Sequence, residues 1–235
     1  MSSFIGSLPA DPNPVDRSAV YRLVALAFRY PSPEAFQSFR DGSFAAALRE
    51  RVSRLPHLGE FLGESPGRIP SEMEGEIEAV AYRELEAGFV QTFDAGKPAP
   101  PCPPYEHCYR EGNPGNVLVE VSEFYKHFGL SVHQEEGRRE LPDHLSVELE
   151  FLHFLTFKEA QAQDQGAAEL LEGYRLAQKD FLERHLANWV PKLCDRLAEK
   201  APFLFYAWLG RITAGLIASD LAWVEGACRQ EAEAC

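Results

Sequence analysis

Two short runs concentrate the side chains able to do chemistry. The first is Pro103-Pro104-Tyr105-Glu106-His107-Cys108-Tyr109, where aromatics and an acid follow a stiff proline segment. If a helix starts there, Tyr105 and Tyr109 stack one turn apart beside Glu106. A glutamate at a helix start also complements the helix dipole, which explains it without any function. The second is Leu141-Pro142-Asp143-His144-Leu145, leading into Ser146-Val147-Glu148-Leu149-Glu150. Asp143 is positioned to cap the helix that follows. His144 and Glu148 fall four apart on one helical face, so His144 is either a switchable charge near neutral pH or a hydrogen-bonded surface side chain.

Other chemistries fare worse. Glu150-x-x-His153 is half of a carboxylate-bundle di-iron pattern, and the chain has no second Glu-x-x-His to complete it. Cys102, His107 and Cys108 match no zinc spacing. There is no Gly-x-Ser-x-Gly, phosphate-binding glycine loop or dinucleotide fingerprint. The expectation is therefore no enzyme, no catalytic residue and no metal. Glu72, Glu74, Glu76, Glu78, Glu84 and Glu86 crowd one stretch against the single base Arg83. They form a solvated face or a surface for a basic segment.

The elements that must hold these residues read as helices nearly throughout. Val20, Leu23, Val24, Ala27 and Phe28 follow the helical period after a capping candidate at Asp16. Ser32-Pro33-Glu34 reads as cap, first-turn proline and first-turn acid. Ser71-x-x-Glu74 is a capping box opening a long helix with the stripe Ile77, Ala81, Leu85 and Phe89. Asn116 caps the next, which turns Leu118, Val121, Tyr125 and Phe128 inward and ends at Gly129. Leu145, Leu149, Leu152 and Leu155 share a face. Two long patterns follow, about 167–198, with Pro191 set to kink or break it, and 202–219, with a short one after Asp220. No pair of alternating strands is joined by a hairpin signal.

Residues 94–104 carry five prolines and predict an extended crossing of the bundle surface. Residues 63–70, 111–116 and 131–141 read as loops. The expected architecture is one all-α domain spanning residues 1–235, with N-terminal helices over 1–62 and a main bundle over 71–235.

Composition sets the outer bounds. The chain has 235 residues, 45% hydrophobic and 25% charged, with a formal net charge of −13. That balance argues against nucleic-acid binding. The first twenty residues show no secretory signal pattern. Residues 201–218 are apolar but contain Arg211 near the middle, which argues for a buried helix and against membrane insertion. The five cysteines suit no disulfide scaffold, and the cytoplasm is the expected compartment.

An ordered series of residues adds a resemblance. The run Glu84-Leu85-Glu86-Ala87-Gly88-Phe89-Val90-Gln91-Thr92-Phe93, then Pro104-Tyr105-Glu106, then Tyr125 and Gly129-Leu130, then Pro142-Asp143-His144-Leu145 with Glu148-Leu149-Glu150-Phe151-Leu152, resembles the TorD/DmsD/NarJ family of molybdoenzyme maturation chaperones. Phe181, His185-Leu186, Trp189 and Phe205-Tyr206 agree with it.

The resemblance implies an all-helical protein without catalysis. Its partner is the apo catalytic subunit of a molybdopterin oxidoreductase, usually met through a twin-arginine signal peptide. The chaperone binds no cofactor stably; the client carries bis-molybdopterin guanine dinucleotide. Tyr105 and Glu106 match the family's Tyr-Glu pair, Pro142, Asp143 and His144 its hinge-region triplet, and Glu148 the acid beyond. His107, Cys108 and the proline-rich stretch depart from the family pattern. They point to the branch serving dimethylsulfide, ethylbenzene, selenate or chlorate enzymes.

On that basis Glu106, Asp143 and Glu148 are expected to meet the arginines, with Tyr105, Tyr109, Tyr125 and Phe151 as apolar walls beside Pro142 and His144. Two other readings stay open: a structural adaptor that binds the mature client without reading a leader, and a guanine-nucleotide-binding helical protein. A monomer and a dimer that exchanges helices at residues 131–141 are both compatible with the sequence.

Overall fold

A computed structural model describes residues 11–62, 71–131 and 140–234, with backbone alone at 60–62, 71–74 and 231–234. The expected loop over 63–70, most of the loop over 131–141 and the Ser71/Glu74 capping box therefore lie outside the described residues or side chains. Every described element is helical. The helices are α1 (Pro14–Ala27), α2 (Pro33–Arg40), α3 (Ser43–Val52), α4 (Pro56–Leu62), α5 (Ser71–Ala79), α6 (Tyr82–Phe89), α7 (Pro114–His127), α8 (Leu145–Asp164), α9 (Ala168–Phe181), α10 (Ala187–Lys200) and α11 (Leu204–Ala234). The fold is all-α and single-domain.

The helix starts follow capping chemistry, at positions shifted from those the sequence suggested. Asn13, not Asp16, caps α1, its side chain accepting from the Val15 N–H, with Pro14 in the first turn. Asp16 instead pairs with Arg51 at 2.8 Å. Asn113, not Asn116, caps α7 in the same way, accepting from Gly115, again followed by a proline. Ser32 caps α2 as expected. Gly129 closes α7 with φ 71°, a left-handed conformation that costs other residues about 1–2 kcal/mol.

Three continuities differ from expectation. The long helix predicted from Ser71 breaks at Val80-Ala81, and Glu84 restarts it by accepting the Ala81 N–H at 3.0 Å. The pattern over 167–198 divides at a wide π turn, Leu182–Leu186, while Pro191 sits inside α10 without ending it. Helix α11 runs through Asp220 without the expected break.

The core follows most of the predicted stripes, but Ala81 is exposed and Leu23, Leu118 and Phe128 are only partly buried. Leu145, Leu149, Leu152 and Leu155 of α8 are all fully buried, facing α1 and α9. α10 packs on α11 where Leu197 and Cys194 close on Gly210, while Phe205 and Tyr206 of α11 meet the rings of Phe39, Phe44, Phe89 and Phe93. No described helix is long and apolar enough to cross a membrane, and the 201–218 stretch is core. At Gly88 the Phe203 ring comes so close that a Cβ would lie 2.1 Å from it, so only glycine admits this contact.

One polar network lies inside this core. Arg17, wholly buried, donates to Asp220 (2.9 Å), Glu159 (2.8 Å) and Gln178 (2.6 Å), and its guanidinium also lies 4.5 Å from the Trp223 ring. His57 reaches the other Asp220 oxygen at 2.8 Å. Five helices, α1, α4, α8, α9 and α11, are thereby joined in one network. The two carboxylates hold Arg17 above its ordinary value against the cost of burial.

Candidate functional site

The two motifs of the sequence meet in space. Pro103 and Pro104 have no N–H to donate and hold the chain extended into Tyr105. This segment pairs antiparallel with the start of α8: the Glu106 N–H donates to the Asp143 carbonyl at 3.0 Å, and the Leu145 N–H to the Pro104 carbonyl at 2.8 Å. Asp143 adds a side-chain clamp, accepting from the His107 N–H at 3.0 Å and from the His107 ring at 2.6 Å. The expectation that Asp143 caps α8 is thus replaced. His144 is the cap, its Nδ1 accepting from the Ser146 N–H at 3.1 Å.

That geometry settles the state of His144. It is buried, and burial together with the Arg29 charge lowers it to about 4. It is neutral at physiological pH, neither a switch near neutrality nor a surface side chain.

The three carboxylates expected to face a ligand face inward instead. Glu106, Asp143 and Glu148 are each fully buried. Glu106 is met by Arg110 at 2.8 Å and by His185 at 2.9 Å. Glu148 accepts from the Trp189 indole at 3.2 Å. Burial, then the Glu106 and Asp143 charges, push the Glu148 carboxyl well above the usual carboxylate range. Withdrawing such groups from their partners to meet an incoming arginine would leave other buried charges unpaired, a cost of about 3–5 kcal/mol.

The aromatic residues divide as well. The run after Tyr105 makes only a single 3₁₀ turn, Glu106–Cys108, so Tyr105 and Tyr109 do not form one wall. Half-buried Tyr105 lies against His107 and His144, its hydroxyl pushed up to about 12 by burial and nearby carboxylates. Tyr109 is buried between the Trp189 ring at 5.5 Å and the Arg196 guanidinium at 4.6 Å. Tyr125 donates to the Pro142 carbonyl at 2.9 Å and so ties α7 to the same junction. Phe151 is a buried hub touching Phe124, Tyr125, Phe128, Phe154 and Phe181.

Beside the junction is a cavity of about 330 Å³, within the size range of ligand pockets. Tyr125, Phe151, Phe154 and Leu130 supply its apolar lining, and Arg29, Glu140 and Glu150 its charges. Of the predicted residues, Tyr125 and Phe151 belong to this cavity; Tyr105, Glu106, Pro142, Asp143, His144 and Glu148 build the junction next to it; Tyr109 packs on the far side against α10. His185, Trp189 and Arg110, which complete the buried carboxylate cluster, were not assigned roles from sequence. The only local signal was the i, i+4 spacing of Glu106 and Arg110.

Metal chemistry finds no support here. Among the described residues no three His, Cys, Asp or Glu side chains are grouped to hold an ion. Glu150 pairs with Arg29, and the His153 ring meets the Ser18 hydroxyl at 2.7 Å. The acidic stretch also has internal uses. Glu76 accepts from the Phe205 N–H at 3.2 Å, and Glu86 from the Tyr30 hydroxyl at 2.9 Å.

An all-helical scaffold with an interlocked motif junction and a charged, aromatic-lined groove defines a binding protein. The family model described as the nitrate reductase delta subunit matches residues 45–195, and the chain belongs to that family, in agreement with the sequence resemblance. Its relatives bear names of one kind. The perchlorate reductase assembly chaperone protein of Dechloromonas aromatica is 33% identical over 196 residues, covering 82% of this chain and 83% of that protein. The selenate reductase assembly chaperone protein of Thauera selenatis is 37% identical over 121 residues, 51% of this chain and 60% of the relative. The dimethyl sulfide dehydrogenase assembly chaperone protein of Rhodovulum sulfidophilum is 32% identical over 208 residues, 84% and 76% of the two chains. This chain's role is that of an assembly chaperone and not of a catalyst.

Proposed function

We propose that this chaperone works in the cytoplasm on the apo catalytic subunit of a molybdopterin oxidoreductase, which it meets through a twin-arginine leader peptide. It keeps the subunit competent for insertion of bis-molybdopterin guanine dinucleotide and delays export until insertion is complete. The client belongs to the branch that includes perchlorate, selenate and dimethyl sulfide enzymes, in keeping with the names of the relatives.

The observation that carries this reading is the groove. A leader of this class is two guanidiniums followed by an apolar stretch. The groove offers carboxylates at Glu140 and Glu150 beside Tyr125, Phe151 and Phe154. Burying the apolar stretch contributes about 25 cal/mol per Å², offset by ordering of the peptide. The balance suits a micromolar complex of about −8 kcal/mol, tight enough to hold a client and weak enough to release it. The protein's net charge of −13 favours encounter with a cationic segment.

Calorimetry with the apo client, with and without its leader, tests the proposal. The expected result is at least a ten-fold loss of affinity on leader removal. Equal affinity for both forms would instead support an adaptor that binds the mature region.

A further inference from the structure

We propose that Glu150 is the acceptor for a leader guanidinium, with Glu140 as its neighbour in the groove, and that Arg29 is an internal cation which the leader displaces. This rests on the leader-binding reading above and names the residues that would perform it.

The argument begins with elimination. Glu106, Asp143 and Glu148 are sealed in the interior and held by Arg110, His107, His185 and Trp189. Among the described residues the charged groups lining the groove are Arg29, Glu140 and Glu150. Glu150 is 39% exposed and paired with Arg29, itself 26% exposed. An ion pair in such a setting is worth at most about five-fold in an equilibrium constant, so a second guanidinium can exchange for the first.

The surroundings suit that exchange. Arg29 lies just beyond the end of α1, where the Phe28 cap and the bond from its own N–H to the Leu26 carbonyl at 3.3 Å fix its origin. Its guanidinium thus occupies the place an external arginine would take. Glu150 projects from the helix that also presents Phe151 and Phe154 to the groove, so a cation held there has apolar surface beside it for the residues that follow. Glu140 carries its charge toward Asp94 and Tyr105, and repulsion from Glu140 helps to raise the Asp94 carboxyl. A second arginine arriving at Glu140 relieves that repulsion. Two consecutive arginines therefore find two anionic positions, one filled in the free protein by Arg29.

The role of Arg29 is to weaken binding. An occupied acceptor discounts every incoming ligand by the strength of the internal pair, which keeps the complex releasable.

The test is fluorescence anisotropy with a synthetic peptide of two consecutive arginines followed by a leucine- and alanine-rich stretch. It is titrated into wild type, Arg29→Gln, Glu150→Gln and the double variant, each checked for unchanged thermal unfolding. Arg29→Gln is expected to bind about three-fold tighter, adding Glu150→Gln to it should weaken binding about five-fold, and Glu150→Gln alone should bind about two-fold weaker than wild type. In the Glu150→Gln background, removing Arg29 should give no gain. Arg29→Lys, which keeps the charge, should show less gain than Arg29→Gln. Wild-type binding that is unaltered in every variant, or a peptide with glutamines for arginines that binds equally well, overturns the inference alone. A wild-type protein that binds no such peptide overturns the leader-binding reading and the inference together.

Discussion

Replacing Asp143 by alanine separates a structural role from a binding role. One Asp143 oxygen holds both the His107 backbone N–H and the His107 ring, at 3.0 and 2.6 Å. Alanine removes both bonds and leaves a backbone donor without its acceptor beside a buried junction. A bond to a charged group contributes about 1.5–3 kcal/mol and an ordinary one about 0.5–1.5 kcal/mol, so the loss should be about 2–4 kcal/mol. For a chain of this size each kcal/mol moves the melting temperature by about 2–4 °C. The expected drop is therefore about 4–16 °C by circular dichroism or calorimetry. Asp143→Asn, which keeps an acceptor for the backbone N–H, should lose about half as much. Peptide affinity of the folded fraction should stay within about two-fold of wild type, because Asp143 does not line the groove. A melting temperature within 2 °C of wild type with a ten-fold loss of peptide affinity would refute this assignment and restore Asp143 as a ligand-facing group (the threshold is about one kcal/mol or less).

Two further predictions concern the interior. Glu148 holds its proton far above the ordinary value of 4.5 in the folded protein, and the unfolded chain releases it near that value. The folded state therefore binds the extra proton in between, so its stabilising effect is full below about pH 4.5 and is lost as pH rises toward the folded value. Glu148→Gln removes this dependence, and urea midpoints should show the variant gaining stability relative to wild type between about pH 5 and 7. Arg17→Ala removes the cation shared by Glu159 and Asp220, leaving Arg175 and Gln178 on the one and His57 on the other, and should cost about 3–5 kcal/mol, read from the same urea curves; Arg17→Met should lose less only if Glu159→Gln and Asp220→Asn accompany it.

Local chemistry was legible wherever one side chain decides the outcome. Ser32, Gly129 and the leucines of α8 stand where the pattern puts them. At Asn13-Pro14 and Asn113-Pro114 the same cap-then-proline logic that identified Ser32-Pro33 was available in the sequence, yet Asp16 and Asn116 drew attention because they lie closer to the apolar periodicity. The break at Val80-Ala81 has no glycine or proline to announce it. Asp220 sits inside α11, buried, and its partner Arg17 comes from a helix 203 residues earlier, which no local pattern could announce. At the site, spacing placed Tyr105, Glu106, Asp143 and His144 together but could not say which way they face. Whether a carboxylate lines a groove or lies beneath it depends on His185 and Trp189, about eighty and forty residues away from Glu106 and Glu148.

The Arg17 network also sets a timetable for the newborn chain. Its guanidinium belongs to α1, while Asp220 is 203 residues downstream and Glu159 is 142. At about 5–20 residues per second the ribosome needs roughly 10–40 s to deliver the final partner. Within that interval α1 can already dock on α8 through the Arg17–Glu159 pair, and only the Asp220 carboxylate is still missing. Helix α11 adds the second carboxylate that holds α1 in place, so this part of the core is completed only once α11 has been made.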